Sequence, residues 1–456
     1  MNPPPAEPRW LQRLPPVLRR LWPASDTERR ASWTLAGSFL IRVSNLGLRF
    51  GVAVLLARLL GPEEYGGYSF ALAVIMVLAI PVQLGLPRLV ERETARAQAQ
   101  ANWGLIRLLW GWAFRVILGF SVLLSLACLL LLYLAPQLLP PGAAALVAPG
   151  LLLVPLFALG AVRAAALRGL RRVISGQLPD AVVLPLVLLA ALLVLTAFGS
   201  LNARDAMLAH VAAAAVAFVL GALLLHRARP GELRQATTAD TRPAGWLGAA
   251  FTLALVAGLQ LVNNQADILM LGYLRSSAEV GVYRVAASAA VLTLLGLQVV
   301  NTVISPWITR LYTQDRRAEL CSLVTRASRI IFAISLPVAL VFMVWAEPLL
   351  EFCFGEPYRS GATALRLLTL AQVVNFLAGP VGNLLTMSGH ERVTLLGVIV
   401  ATVVNVLLNL LFIPRYGVEG AALASALSIV TWNTLLWWQT RRVLGIDASP
   451  AGWHTR

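Results

Sequence analysis

Past residue 31 the chain alternates long apolar runs with short clusters of Pro, Gly and charge. A run of roughly 20 apolar residues is long enough to cross a bilayer as a helix. By that criterion the sequence predicts about 12 spans, near 32–58, 67–87, 108–135, 143–166, 181–199, 206–226, 246–273, 281–308, 327–346, 361–388, 393–413 and 418–440. Arg107 and Arg115 interrupt the start of the third. The fold class this predicts is an all-α polytopic membrane protein.

The two halves of the pattern repeat. A gap-free shift of 215 residues pairs Leu59 with Leu274, Glu64 with Glu279, Gly66 with Gly281, Tyr68 with Tyr283 and Ala71 with Ala286. The same shift pairs Leu208 with Leu423 and Ala209 with Ala424, at the far end of each half. One shift that fits both ends implies duplication of a six-helix unit. Six being even, the copies share one orientation and form parallel repeats about an axis along the membrane normal. The predicted organisation is a cytoplasmic N-terminal tail (1–31), a first lobe (32–226), a cytoplasmic linker (227–245), a second lobe (246–440) and a cytoplasmic C-terminal tail (441–456).

Polar positions inside the spans point to a cavity. The stretch 258–273, GLQLVNNQADILMLGY, places Gln260, Asn263, Asn264 and Asp267 on one helical face. A carboxylate at mid-span costs about 2.5–3.5 kcal/mol to insert, so it is expected to face a wet or paired interior. The first span carries its own stripe of Ser38, Arg42, Asn45 and Arg49. Arg49 lies too deep to reach an interface easily; it either serves a substrate or neutralises Asp267 in a structural ion pair. The eighth span adds Gln298, Asn301, Thr302 and Ser305, with Arg284 and Ser288 toward its outer end. Gln83, Gln372, Asn375, Asn383 and Thr386 are further polar positions, whereas Gly379, Gly382, Asn405 and Asn409 read better as helix-packing contacts. The predicted cavity is polar and net cationic, with Arg42, Arg49 and Arg284 facing one acid, Asp267. Guanidinium forks suit phosphate oxygens, so an anionic cargo is expected. Asp267 would either anchor Arg49 or take up a proton or sodium ion.

Composition narrows the class. The 456 residues are 58% hydrophobic and 13% charged, against about 25% charged in a soluble domain. The net charge of +16 is carried by arginine alone, without a single lysine. Of the 37 arginines, 27 fall in the N-terminal tail, the even-numbered connections and the C-terminal tail, and seven in the odd-numbered connections. That bias puts both termini in the cytoplasm and accounts for the positive charge without nucleic acid. The longest odd-numbered connection, 346–361, is under twenty residues and leaves no room for an extramembrane enzyme domain. Cys128, Cys321 and Cys353, with four scattered His, indicate neither disulfides nor a metal site. The first thirty residues lack the apolar core of a cleavable signal. They read as an interfacial helix, built on Trp10, Leu11, Leu14, Val17, Leu18 and Leu21, or as a disordered tail.

Four motifs resemble those of bacterial polysaccharide flippases: ARLLGPEEYGGY at 57–68, NQADILMLGY at 264–273 followed by VGVY at 280–283, FCFG at 352–355 before Tyr358, and FIPRYGVEGAA at 412–422. These are similar to the oligosaccharidyl-lipid branch of the multidrug/oligosaccharidyl-lipid/polysaccharide exporter superfamily, over nearly the whole chain past residue 31. The resemblance implies a MATE-like V of two six-helix lobes with helices 1, 2, 7 and 8 lining the cavity. It implies a multi-pass protein of the bacterial inner membrane that flips an undecaprenyl-diphosphate-linked oligosaccharide, of the O-antigen or exopolysaccharide kind. The substrate-binding set would be Arg42, Asn45, Arg49, Gln260, Asn263, Asn264, Asp267, Arg284, Gln298 and Asn301, with Asp267 as the ion-coupling residue. No cofactor is expected beyond a coupling Na+ or H+. The expected partners are the lipid-linked oligosaccharide, membrane lipids and other glycan-assembly membrane proteins, with no nucleic acid. The competing readings are a multidrug or small-metabolite antiporter on the same fold and a non-transporting scaffold of a glycan-assembly complex.

Overall fold

The computed structural model describes residues 26–237 and 246–452, without the side chains of 26–36, 247–257 and 260. The expected interfacial N-terminal segment and part of the linker lie outside the described residues. Among the described residues the chain is helical, with no strand. The first half contains α1 (Asp26–Gln83), α2 (Leu86–Ala99), α3 (Trp103–Leu134), α4 (Ala143–Gly150), α5 (Leu153–Gly169), α6 (Val173–Leu178), α7 (Leu184–Phe198) and α8 (Ala203–Ala228). A short α9 (Gly231–Gln235) follows. The second half contains α10 (Trp246–Leu274), α11 (Ser277–Ala290), α12 (Leu295–Thr313), α13 (Arg317–Val344), α14 (Ala346–Phe354), α15 (Ala362–Ala378), α16 (Val381–Met387) and α17 (Glu391–Leu444). Eight stretches of the described residues are long and apolar enough to cross a membrane, or nine if the 40° bend between α4 and α5 lies within one span. The protein is a multi-pass membrane protein. Two of the eight, within α1 and α17, are broken by left-handed glycines, Gly61 at φ 71° and Gly417 at φ 54°. Glycine takes that backbone conformation without a Cβ penalty, and Pro62 after Gly61 starts the next helical stretch.

The duplication shows in the way these breaks are made. Under the 215-residue shift Gly61 corresponds to Ser276, and Gly417 to Asn202. Ser276 and Asn202 are helix N-caps whose side chains accept from the backbone N–H of Glu279 and Asp205. At each pair, one copy turns on a glycine and the other on a cap. Glu64 accepts from the Ala203 N–H at 2.7 Å, and its counterpart Glu279 lies against Gly417.

The halves meet at the end that holds these breaks. A Cβ on Gly66 would lie 1.7 Å from the Ser277 carbonyl oxygen, and one on Gly281 would lie 2.1 Å from that of Pro62. The 215-residue shift exchanges these two contacts, so the approximate two-fold axis runs between them. Small residues let helix backbones approach this closely. Around them, Tyr358 donates to the Ala57 carbonyl at 3.0 Å, Arg58 donates to the carbonyls of Phe352 and Cys353, and Phe50 packs edge-on against Phe354. One contiguous apolar core crosses this seam, while a second, around Ile308, Val324 and Phe376, belongs to the second half alone.

Three features depart from the expected boundaries. The second span stops at Gln83 because Leu84 and Gly85 are both left-handed, at φ 45° and 66°. An amphipathic α2 then buries Leu86, Leu89, Val90 and Ala97 and exposes Arg88, Arg92 and Arg96. The C-terminal segment past α17 is docked rather than free: Ser328 donates to the Ala448 carbonyl at 2.6 Å, and Trp437 to Asp447 at 3.0 Å. Arg163, one of the 27 arginines that the bias assigns to the tails and even-numbered connections, sits inside α5 with 1% of its surface exposed.

Candidate functional site

Between the halves lies a cavity of two chambers, about 370 Å³ and about 510 Å³, which share Leu46 and Arg49. The first is charged, with Arg42, Asn45, Arg49, Arg168, Asp180 and Gln298 in its wall. The second is mostly apolar and aromatic, with His210, Asn264, Gln265 and Arg284 among its polar groups. Arg49, half-way along α1 before the Gly61 break, stands where the two meet.

Three members of the predicted stripe on the first helix, Arg42, Asn45 and Arg49, meet at this cavity, whereas Ser38 is buried away from it. Arg42 donates through Nη1 to the Thr302 hydroxyl at 3.1 Å, which bridges α1 to α12 across the two halves. Asn45 donates to the Ala181 carbonyl at 2.6 Å. Gln298 lines both the first chamber and a narrow cleft beside Arg42 and Thr302. Arg284 enters the second chamber next to the hydroxyls of Tyr65 and Ser288.

The stripe on α10 divides. Asn264 faces the second chamber, but Asp267, three residues on and about 60° round the helix, faces the interior of the second half and is 7% exposed. Its Oδ1 accepts from Asn405 at 3.0 Å and Asn409 at 2.6 Å; its Oδ2 accepts from Tyr283 at 2.5 Å and from Ser425. Asp267 is therefore held by four neutral donors, and Arg49 is not its partner. The two asparagines read from sequence as packing contacts are its ligands. One acceptor, Asn409 Oδ1, is buried there without a hydrogen-bond donor. The duplication is visible here too: Tyr283 meets Ser425 at 3.3 Å, and their counterparts Tyr68 and His210 meet at 2.6 Å. Val52 stands where the first half would need the carboxylate.

Comparison with known proteins supplies the family. Residues 55–362, more than half of the chain, match the family model described as "Polysaccharide biosynthesis protein". The chain belongs to that family. A 170-residue segment is 22% identical to a probable low-salt glycan biosynthesis flippase, Agl15, of Haloferax volcanii; it covers 37% of this chain and 36% of that protein. The chain thus spans about a third of the length of the curated relative it matches. An inward-facing multidrug resistance MATE family transporter of the MOP superfamily superposes with a TM-score of 0.73 at 15% identity, covering 89% of this chain and 98% of that one. The lipid II flippase MurJ in an inward closed conformation gives 0.68 at 13% identity, covering 90% and 87%. The fold is the one these two transporters share.

In this polysaccharide biosynthesis protein, two more predicted site residues stand off the cavity. Asn263 does not line either chamber, and its Oδ1 is buried without a donor. Asn301 contacts Asn383 at 3.5 Å, a packing contact between α12 and α16. The side chain of Gln260 lies outside the described residues. Residues that the sequence did not single out take their place: Tyr65, Tyr68, His210, Arg168, Gln177 and Asp180. Asp180 also corrects the expectation that Asp267 is the single mid-span acid. The helical stretch begins at Val173 rather than 181, so Asp180 lies seven residues inside it, in a π-helical turn over Pro179–Val183.

Proposed function

We propose that this protein is a flippase that moves an undecaprenyl-diphosphate-linked oligosaccharide across the cytoplasmic membrane by alternating access. The chain would cross the membrane twelve times, with both termini in the cytoplasm and the two lobes as the moving bodies. The observation that carries the reading is the placement of Arg49 where a charged chamber meets an apolar one, between two halves related by an approximate two-fold. Arg42, Arg49, Arg168 and Arg284 outnumber Asp180 on the cavity wall, which favours an anionic headgroup over a cationic drug. The Agl15 relative, named for glycan flipping, and the lipid II flippase fold support the same cargo class.

The arginine bias supports a Gly66–Gly281 seam on the outer side and a cavity open to the cytoplasm. Arg42 and Arg49 take the diphosphate there while the lipid tail stays in the bilayer. The lobes then rock about the seam. Asp267 takes up the coupling cation, Na+ or H+. Its carboxylate is buried among neutral donors, no ion pair to it occurs among the described residues, and the spare Asn409 oxygen offers a further acceptor beside it.

Binding tests this directly. Undecaprenyl-diphosphate-linked oligosaccharide is titrated against the purified protein and against Arg49→Ala. Loss of a charge-assisted hydrogen bond costs about 1.5–3 kcal/mol, so affinity is expected to fall roughly ten- to a hundredfold. Wild-type affinity is also expected to weaken as salt rises. Binding indifferent to both Arg49 and salt would overturn the assignment.

A further inference from the structure

The ion pair between Arg163 and Asp180 has no part in the mechanism above, yet both terminal nitrogens of the buried guanidinium are bonded, and only Nε lacks an acceptor. Arg163 reaches from α5 into a space left by Gly221 on α8, where a Cβ would lie 2.2 Å from the guanidinium. Its Nη1 donates to the carbonyls of Ala217 and Phe218 at 3.0 and 3.1 Å, and the Phe218 ring covers it with the centroid 5.8 Å away. Its Nη2 donates to both oxygens of Asp180, at 2.9 and 2.8 Å. With 1% of its side chain exposed, Arg163 cannot turn toward the cavity.

Asp180 is different. Its side chain is 45% exposed and stands in the wall of the charged chamber with Asn45 and Arg49. It is carried on a π-helical turn, a feature frequent at functional sites. Asn45, bonded to the Ala181 carbonyl, fixes that turn against α1. Arg163 gives each carboxylate oxygen one donor, which leaves both with spare acceptor capacity in the wall of the chamber.

An ionised carboxylate accepts hydrogen bonds and repels phosphate, so within a cationic chamber it selects for hydroxyl donors. We propose that Asp180, clamped by Arg163, reads the glycan: it accepts hydrogen bonds from hydroxyls of the sugar next to the diphosphate, while Arg42 and Arg49 hold the phosphates. Arg163 is then a positioning residue that touches no substrate. This rests on the flippase reading. A site built to bond a hydroxyl discriminates strongly against ligands that lack it, so Asp180 sets preference for glycosylated over bare lipid diphosphate.

The test measures binding of two probes to the purified full chain: undecaprenyl diphosphate, and the same lipid diphosphate carrying N-acetylglucosamine. The variants are Asp180→Asn and the double variant Asp180→Asn with Arg163→Gln. The double variant removes the buried unpaired charge, so it supplies the answer if the single variant fails to fold. The expected result is a wild-type preference for the sugar-bearing lipid that falls at least tenfold in the variants, with binding of bare lipid diphosphate unchanged or tighter. A preference that survives in the variants, or equal changes for both lipids, would reduce the pair to a structural or purely electrostatic role and overturn the proposal. Equal wild-type binding of the two lipids would also overturn it. Wild-type protein that binds neither lipid contradicts the flippase reading itself.

Discussion

Asp267→Asn is expected to abolish coupled transport while the protein remains folded. The carboxylate collects four neutral donors inside the second half and faces away from both chambers, so its loss should leave substrate binding within about twofold of wild type. Moving two states from 1:99 to 99:1 requires a differential affinity of about 5.5 kcal/mol. In the proposed cycle a cation bound at Asp267 supplies that difference. Without it, flipping driven by a sodium or proton gradient should fall roughly a hundredfold or more, toward the rate without a gradient. Asparagine keeps the shape and one acceptor, and the neighbouring hydroxyls of Tyr283 and Ser425 can rotate to accept from its amide. A variant that binds lipid-linked glycan normally and still responds to an imposed gradient would exclude Asp267 as the coupling residue.

Gly281→Ala and Gly66→Ala are expected to behave alike, because the duplication makes them one contact used twice. Each added methyl would meet a backbone oxygen, of Pro62 or Ser277, at 2.1 or 1.7 Å. A carbonyl in a packed helix cannot swing aside as a side-chain end can, so the two halves must part. Overpacking of this kind costs typically 1–3 kcal/mol and occasionally more. That cost falls on the state closed at the seam and spares one in which the seam is open. Both variants should therefore expose the second chamber to the outside and cut transport at least tenfold. A cysteine placed at Ser288 in a cysteine-free background reports this: it should react faster with an impermeant thiol reagent added outside. Gly47→Ala and Gly51→Ala, where an added Cβ meets nothing within 4 Å, should leave both readouts unchanged. Equal labelling in all four variants would show that the seam is not the outer gate.

Much of this architecture was legible because membrane spans and gene duplication both leave long-range patterns. The apolar runs located the helices, and the 215-residue shift that pairs Gly66 with Gly281 predicted a symmetry the seam then displays. What escaped was set by helix ends and by rotation about helix axes. Asp180 lies one residue before the predicted fifth span, and extra helix at that edge brings it inside, where it pairs with Arg163 near the end of the predicted fourth span. Hydropathy blurs such edges because a buried, paired charge lowers the window average in the same way as a loop. Asp267 was read on the same face as Asn264, yet a turn of about 60° separates them and decides between cavity and interior. The i, i+4 spacing of Asn405 and Asn409 was the available signal that another helix carried partners for it. The amphipathic α2 was also readable, from Leu86, Leu89, Val90 and Ala97 alternating with Arg88, Arg92 and Arg96, but it was too short and too charged to register as a span.

A flippase of this kind moves a lipid-diphosphate glycan from one leaflet to the other. The most direct measurement places the purified protein in liposomes with a fluorescent undecaprenyl-diphosphate-linked oligosaccharide in one leaflet. The fraction that becomes accessible to an impermeant quencher on the other side is followed over time. Transfer is expected well above that of protein-free liposomes, faster under a sodium or proton gradient and reduced at least tenfold in Arg49→Ala. Transfer at the rate of protein-free liposomes, with correctly folded protein that still binds the lipid, would contradict the flippase reading.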